Sequence, residues 1–282
     1  IAHMKLVLAG VPLGNPGDAS ARLISAIKSA SIIAAEDSRR FHRLCQDLNV
    51  ATEAKVLSFF EGNEDERTEQ LLKELQNGAV VLVVTDAGMP TVSDPGFKLV
   101  RAALVANIIV EVLPGPSAVT TALALSGLPT DRFCFEGFAP RAQGAREKFF
   151  ENLKFEARTI VFFEAPHRLL ETLDSAIAIL GSDRKAALCR EMTKTYEETV
   201  RGTLGEIQSW ANSKEILGEI TMVIDGASEG AKEISQQAII EAVRKLEEVG
   251  MERKEAIAAV SKELDLPKRE VFDAMVAAKN LQ

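Results

Sequence analysis

Apolar and polar positions along the 282-residue chain fall into blocks with two different periods. Short apolar runs without alternation stand at residues 5–9, 31–35, 55–60, 79–84 and 108–113. Runs of this length and composition, such as the one ending in Val80-Val81-Leu82-Val83-Val84, predict strands buried on both faces. Between them lie stretches whose apolar residues recur at helical spacing, 64–76 and 97–105 among them. Strand and helix in alternation predict an α/β domain over residues 5–128. After Gly127-Leu128-Pro129-Thr130-Asp131 the pattern repeats, with strands expected at 133–138, 159–164, 185–190, 197–201 and 219–225 and helices at 146–153, 168–180 and 204–211. A second α/β domain over 129–226 follows. Beyond the small residues Gly226 to Gly230, read as a linker, the pattern is all helix: 236–249 capped by Ser235 and ended by Gly250, then 252–264, then 268–279 after Pro267. Three short helices predict a helix-turn-helix-like module over 231–282, whose last helix opens with Lys268 and Arg269, where phosphate or base edges would be met.

Composition narrows the class of protein. With 46% apolar and 26% charged residues the chain has the balance of a soluble globular protein, and no apolar run approaches the roughly 18 residues of a membrane span. No membrane association and a cytoplasmic location are expected. Three cysteines, Cys45, Cys134 and Cys189, lie far apart in apolar surroundings, so they are read as structural and no metal site is expected. The net charge of −8 argues against indiscriminate nucleic-acid binding but leaves room for a local basic patch.

The segments that follow the strands carry the candidate chemistry. Thr85 to Gly96 follows a buried strand and holds two glycines, two prolines and two aspartates, a rigid polar bend at the end of an α/β strand where ligands bind. Val11 to Asp18 and Pro114 to Ala118 are further strand-to-helix turns; neither is a G-x-G-x-x-G nor a P-loop, which weakens nicotinamide and nucleoside-triphosphate readings. Glu164-Ala165-Pro166-His167-Arg168 and Arg190-Glu191-Met192-Thr193-Lys194 place charges of both signs at two strand ends of the second half.

Eight phrases occur in order: Pro12-Leu13-Gly14-Asn15; Ala34-Ala35-Glu36-Asp37-Ser38-Arg39; Asp86-Ala87-Gly88-Met89-Pro90 with Ser93-Asp94-Pro95-Gly96; Leu113 to Ala118; Gly127-Leu128-Pro129 with Phe135-Glu136-Gly137-Phe138; Glu164 to Arg168; Arg190 to Lys194; and Gly218-Glu219. Together they resemble the tetrapyrrole-methylase superfamily, and more closely its ribosomal RNA small subunit methyltransferase I branch. The resemblance implies two α/β domains with an S-adenosylmethionine cleft between them, a homodimer, and 2′-O-methylation of a cytidine in the decoding region of 16S rRNA in the small ribosomal subunit. Carried over by position, the cofactor cleft would use Pro12, Asp86, Gly88, Met89, Ser117 and Ala118, closed by Phe163, Glu164 and Met192. Glu36, Asp37, Glu164, His167, Glu191 and Lys194 are the candidates for a base or a charge-stabilising group; no single base stands out, and Glu36-Asp37 has the alternative of a structural ion pair with Arg39. RNA contact would fall to Arg39, Arg40, Arg43, Arg141, Arg146, Arg168 and the terminal helices with Lys268 and Arg269. Methylation of a tetrapyrrole precursor, the analogous diphthine chemistry on a protein, and a non-catalytic ribosome assembly factor are the competing readings.

Overall fold

The structure, a computed structural model, describes residues 4–228, 236–264 and 266–280. The first half runs β1 (Lys5–Ala9), α1 (Ala21–Ser29), β2 (Ile32–Ala35), α2 (Ser38–Asp47), β3 (Lys55–Ser58), α3 (Glu64–Gln76), β4 (Val80–Val84), α4 (Phe97–Val105) and β5 (Ile109–Leu113). Its five strands are all parallel, in the order β3-β2-β4-β1-β5. The unbroken apolar run of β4 has its explanation here: Leu82 and Val84 pack with Leu23 and Ile27 of α1 and Phe41 of α2, while Val81 and Val83 pack with Leu71 and Leu75 of α3 and Leu99 of α4. Both faces of the strand are core, so no polar residue is tolerated on either.

Two helices that the apolar pattern leaves faint, α1 and α2, are fixed by their starts. The Ser20 hydroxyl accepts the N–H of Leu23 at 3.0 Å, and the Asp37 carboxylate accepts the N–H of Arg39 at 2.8 Å. α2 buries only Phe41 and Cys45, a stripe too narrow to announce itself against seven charged or polar neighbours. β3 stops at Ser58, two residues before the expected end, because the N–H of Phe60 turns to the Asn63 side chain at 2.9 Å.

α5 (Ala118–Ser126) leads into the second sheet, built from β6 (Phe133–Phe138), β7 (Thr159–Glu164), β8 (Lys185–Arg190), β9 (Glu198–Thr203) and β10 (Ile220–Ile224), with α6 (Gln143–Leu153), α7 (Leu169–Leu180) and α8 (Leu204–Asn212) between them. The order is β6-β7-β10-β8-β9; β6 and β7 are parallel, and β10 runs antiparallel between β7 and β8. On one face Phe150, Leu153, Leu173 and Ile207 of α6, α7 and α8 cover Ile160, Phe162, Leu188 and Met222. The other face is covered by α5, whose Val119, Ala122 and Leu123 pack on Val161, Ala187, Cys189 and Val223. α5 precedes the expected boundary at 128 yet supplies the core of the second sheet. Residues 1–226 accordingly form one compact unit with two sheets, and 227–282 form another.

The second unit holds α9 (Gln236–Glu248), α10 (Arg253–Glu263) and α11 (Lys268–Asn280), joined through Ile239, Val243, Ile257, Val260, Val271 and Ala274. The expected cap Ser235 and the end of the expected linker, Glu229 and Gly230, lie outside the described residues. Cys45, Cys134 and Cys189 are free and buried, and burial pushes the thiols of Cys134 and Cys189 up to about 11. Among the described residues no helix is long and apolar enough to cross a membrane, and no group of three or more His, Cys, Asp or Glu is placed to hold a metal ion.

Candidate active site

The carboxyl ends of β1, β2, β4 and β5 meet the second sheet around a cavity of about 380 Å³. Its floor is the loop after β4. The Thr85 hydroxyl is buried and lies 3.3 Å and 3.4 Å from the carbonyls of Ala87 and Gly88, to which it donates. Gly88, at φ +77°, exchanges both backbone hydrogen bonds with Val11, at 2.9 and 3.1 Å, which fastens the β4 loop to the β1 turn. Farther along, Thr91 and Ser93 take φ of +74° and +63°, left-handed values that cost a residue with a side chain on the order of 1 kcal/mol or more. The surroundings hold them there. The far end of the loop is anchored by Glu64, a buried carboxylate at the start of α3 that accepts the N–H of Gly96 at 2.9 Å. The β1 and β5 turns touch: a Cβ on Gly10 would come within 2.7 Å of both Gly115 Cα and Met89 Sδ.

Carboxylates dominate the wall. Glu36, Asp86, Asp94 and Glu219 all line the cavity, against the single guanidinium of Arg40. The ends of β2 and β4 are locked reciprocally: the N–H of Asp86 donates to Glu36 Oε2 at 3.0 Å and the N–H of Asp37 donates to Asp86 Oδ1 at 3.1 Å. Arg40 Nη1 stands 3.4 Å from Asp86 Oδ2 and 4.0 Å from Glu219 Oε1. Burial raises the carboxyls of Glu36 and Asp86 above their ordinary range, with Arg40 pulling both back. Asp94 has no such relief. It makes no hydrogen bond or ion pair among the described residues, and burial, followed by repulsion from Glu36, Asp86 and Glu219, pushes it up to about 7. A partly desolvated, unpaired carboxylate among three others is costly by itself and is relieved by a cationic ligand.

The second sheet contributes Phe138, Phe163, Glu164, Ala165, Pro166, Met192 and the stretch Gly218 to Thr221. The Glu164 side chain is buried and fully engaged: it accepts from the Ala165 N–H at 2.6 Å and from the Thr172 hydroxyl, and pairs with Arg168 Nη2 at 2.6 Å. Lys194 Nζ bridges Glu191 at 2.8 Å and Glu219 at 2.9 Å, and these bonds hold its pKa above the usual lysine range against the opposing effect of burial. Glu191 also faces burial, but the hydrogen bonds from Lys194 and from the Glu219 N–H at 2.9 Å hold its carboxyl low. The same turn meets the first sheet, since the N–H of Asn15 donates to Thr193 Oγ1 at 3.1 Å and a Cβ on Gly14 would overlap the Lys194 side chain. Gly14 is thus a glycine of close approach.

Of the residues expected at the cofactor, Asp86, Gly88, Met89, Ser117, Ala118, Phe163, Glu164 and Met192 line the cavity; Pro12 is buried behind it, and its neighbour Leu13 takes the lining position. Among the expected acid–base candidates, Glu36 and Glu164 line it. Asp37 caps α2 and pairs with Arg39 at 2.8 Å, which holds its carboxyl down to about 2, and His167 is exposed away from the cavity. Arg168, expected at an RNA surface, is internal, its side chain 13% exposed and bonded to Glu164 and to the Ala139 carbonyl at 3.2 Å. Arg146 is internal as well, donating to Ser175 at 3.1 Å and to the Arg141 carbonyl at 3.0 Å. Arg39, Arg40, Arg43, Arg141, Lys268 and Arg269 are exposed. The sequence reading left Phe138 and Glu219 without roles, although each stands inside one of the quoted phrases, and read Asp94 only as one of the loop's two acceptor aspartates.

Residues 5–208 match the family model of the Tetrapyrrole (Corrin/Porphyrin) Methylases. A protein of Mycobacterium tuberculosis named ribosomal RNA small subunit methyltransferase I is 46% identical over 276 residues, 98% of this chain and 95% of that protein. A Bacillus subtilis protein of the same name is 39% identical over 95% of this chain and 93% of its own length. The crystal structure of uroporphyrin-III C-methyltransferase from Thermus thermophilus, complexed with S-adenosylhomocysteine, superposes with a TM-score of 0.54 at 19% identity, over 78% of this chain and 96% of that one. At that identity the likeness is one of fold. The chain belongs to the tetrapyrrole methylase family, in its ribosomal RNA small subunit methyltransferase I branch.

Proposed function

We propose that this protein transfers a methyl group from S-adenosylmethionine to the ribose 2′-oxygen of a cytidine in the decoding region of 16S rRNA, acting on the small ribosomal subunit as a cytoplasmic homodimer. The observation that carries the reading is the convergence of the branch's motif residues on one cavity whose wall is acidic and holds an unpaired carboxylate, Asp94. Such a wall fits S-adenosylmethionine by its chemistry. The group supplies a positively charged, already activated methyl donor. Asp86, Asp94, Glu36 and Glu219 favour that positive charge over the neutral thioether left after transfer, which promotes exchange of spent for fresh cofactor. Ala87, Gly88 and Ala118 offer backbone at close range, and Met89, Phe163 and Met192 supply apolar contact for an adenosyl ring.

The protein's remaining work is to align the acceptor hydroxyl and keep water out. Glu36 Oε1 is a carboxylate oxygen on the wall able to take the hydroxyl proton as the new carbon–oxygen bond forms. Glu164 is proposed as a structural member that fixes β7 to α7, because its oxygens are already engaged. Lys194, bound between Glu191 and Glu219, positions the rim. Exposed Arg39, Arg40 and Arg43 along α2 are assigned to phosphate contacts, with Lys268 and Arg269 of α11 as a second set.

The same acidity weighs against a tetrapyrrole precursor, whose several carboxylates would meet Glu36, Asp86, Asp94 and Glu219, besides the internally paired Glu164, and one guanidinium. The reading is tested by incubating the protein with labelled S-adenosylmethionine and either unmethylated 30S subunits, naked 16S rRNA or a tetrapyrrole precursor. Label in 2′-O-methylcytidine from the subunits is the expected result; label in the tetrapyrrole alone overturns it.

A further inference from the structure

β6 and β7 run in register from Phe133 opposite Thr159 to Phe135 opposite Val161, and then lose it: Phe138 stands opposite Phe163. Three residues of β6 therefore advance against two of β7, a bulge that includes Gly137 at φ +70°. In a regular strand Phe135 and Phe138, three positions apart, would face opposite sides of the sheet. The extra residue puts them on the same side, and both rings meet Phe163 edge to face, with centroids 4.9 and 5.4 Å away. The two then differ in burial. Phe135 packs into the core under α5, whereas Phe138 lines the cavity with 54% of its surface exposed. With that exposure and its one ring contact to Phe163, Phe138 offers aromatic surface to the cavity. The glycine of the bulge also neighbours the loop after β4, since a Cβ there would lie in ordinary contact, 3.6 Å, with Ser93 Oγ, next to Asp94.

Resting on the proposed reading, we infer that Phe138 is the stacking platform for the base of the acceptor nucleotide, and that the β6 bulge exists to turn it into the cavity. A flat apolar face beside the acidic pocket suits a nucleobase, which offers a π-face whatever its identity, while the ribose it carries is presented to the donor side. Arg40 of α2 lines the same cavity with its side chain 60% exposed, placed to meet the phosphate of that nucleotide. One ring is enough for one extruded base, so the scarcity of Trp and Tyr in the chain is no obstacle.

The test compares Phe138→Leu, Phe138→Ala and Phe138→Trp with the wild type in three measurements: thermal midpoint, S-adenosylmethionine affinity by calorimetry, and steady-state methyl transfer to unmethylated 30S subunits. The leucine variant keeps apolar bulk and loses the aromatic face. Expected is a fall in kcat/KM for subunits of about 10- to 100-fold in the leucine and alanine variants, with activity retained by tryptophan and cofactor affinity unchanged in all three. Full activity of the leucine variant overturns the inference and leaves the proposed function standing. So does a parallel loss of cofactor affinity, which would make Phe138 a contact of the cofactor. A wild-type protein that methylates no RNA overturns both.

Discussion

At the residue scale the site turns on Asp94. Its carboxyl is pushed up to about 7, while in the unfolded chain it titrates near the ordinary value of about 3.9. Between those values the folded protein holds a proton that the unfolded chain has lost, so this residue's contribution to stability falls as pH rises from about 4 to about 7. Asp94→Asn is therefore expected to flatten that slope of the ligand-free protein, read as unfolding midpoints across the range. Binding a cation reverses the preference. Wild-type affinity for S-adenosylmethionine is expected to rise between about pH 6 and pH 8 as Asp94 ionises, and the asparagine variant to bind more weakly and lose the Asp94 part of the rise, both measured by calorimetry. An identical pH profile in the two proteins would remove Asp94 from the site. Most lining residues were legible in the sequence because they sit in the quoted phrases. Which members of a phrase point inward was not: Asp37 and Asp86 look equivalent on paper, yet one caps a helix and the other lines the cavity. Arg168 and Glu164, four apart, read as two functional charges and form one internal pair.

At the scale of elements, the loop after β4 is a strained span held at both ends, by the Val11–Gly88 pairing and by Glu64. Glu64→Ala removes the acceptor of a buried N–H and is expected to cost about 1–3 kcal/mol in denaturant unfolding. It should also weaken S-adenosylmethionine, since the loop carrying Asp86 and Asp94 loses its anchor; Glu64→Gln, which keeps an acceptor, should recover most of both. Unchanged affinity in the alanine variant would mean that the loop holds itself. α11 presents Lys268 and Arg269, and beyond them Phe272 and Val276, on exposed positions. The double variant Lys268→Glu with Arg269→Glu is expected to lower kcat/KM on 30S subunits and reduce its salt dependence, with cofactor affinity untouched. A salt slope equal to the wild type's would remove these two side chains from the RNA contact. Strands of the first sheet were legible to within two residues, because burial on both faces writes an unbroken apolar run. The antiparallel placement of β10 between β7 and β8 was not, since pairing partners are chosen by the whole sheet. The β6 bulge was equally silent, although Gly137 marked the position where it occurs.

For the whole molecule, two sheets and a helical tail beyond residue 226 were legible from the succession of apolar blocks, but the place of α5 was not. The turn at Gly127 to Asp131 marks a break in the pattern, and α5 before it nevertheless completes the core of the sheet after it. α5 leaves β5 of the first sheet through the cavity-lining turn at Ser117 and packs on the second sheet, and residues 1–226 form one compact unit that carries both walls of the cavity. Geometry of this kind is what an aligned methyl transfer needs, as a small displacement of either wall would separate donor from acceptor. Methylation of a small-subunit RNA ribose at this cavity is the proposed activity. It is tested most directly by transferring labelled methyl from S-adenosylmethionine to unmethylated 30S subunits and digesting the RNA to nucleosides. Label is expected in 2′-O-methylcytidine, abolished or strongly reduced by Asp94→Asn; subunits that stay unlabelled while the wild-type protein binds cofactor would overturn the proposed function.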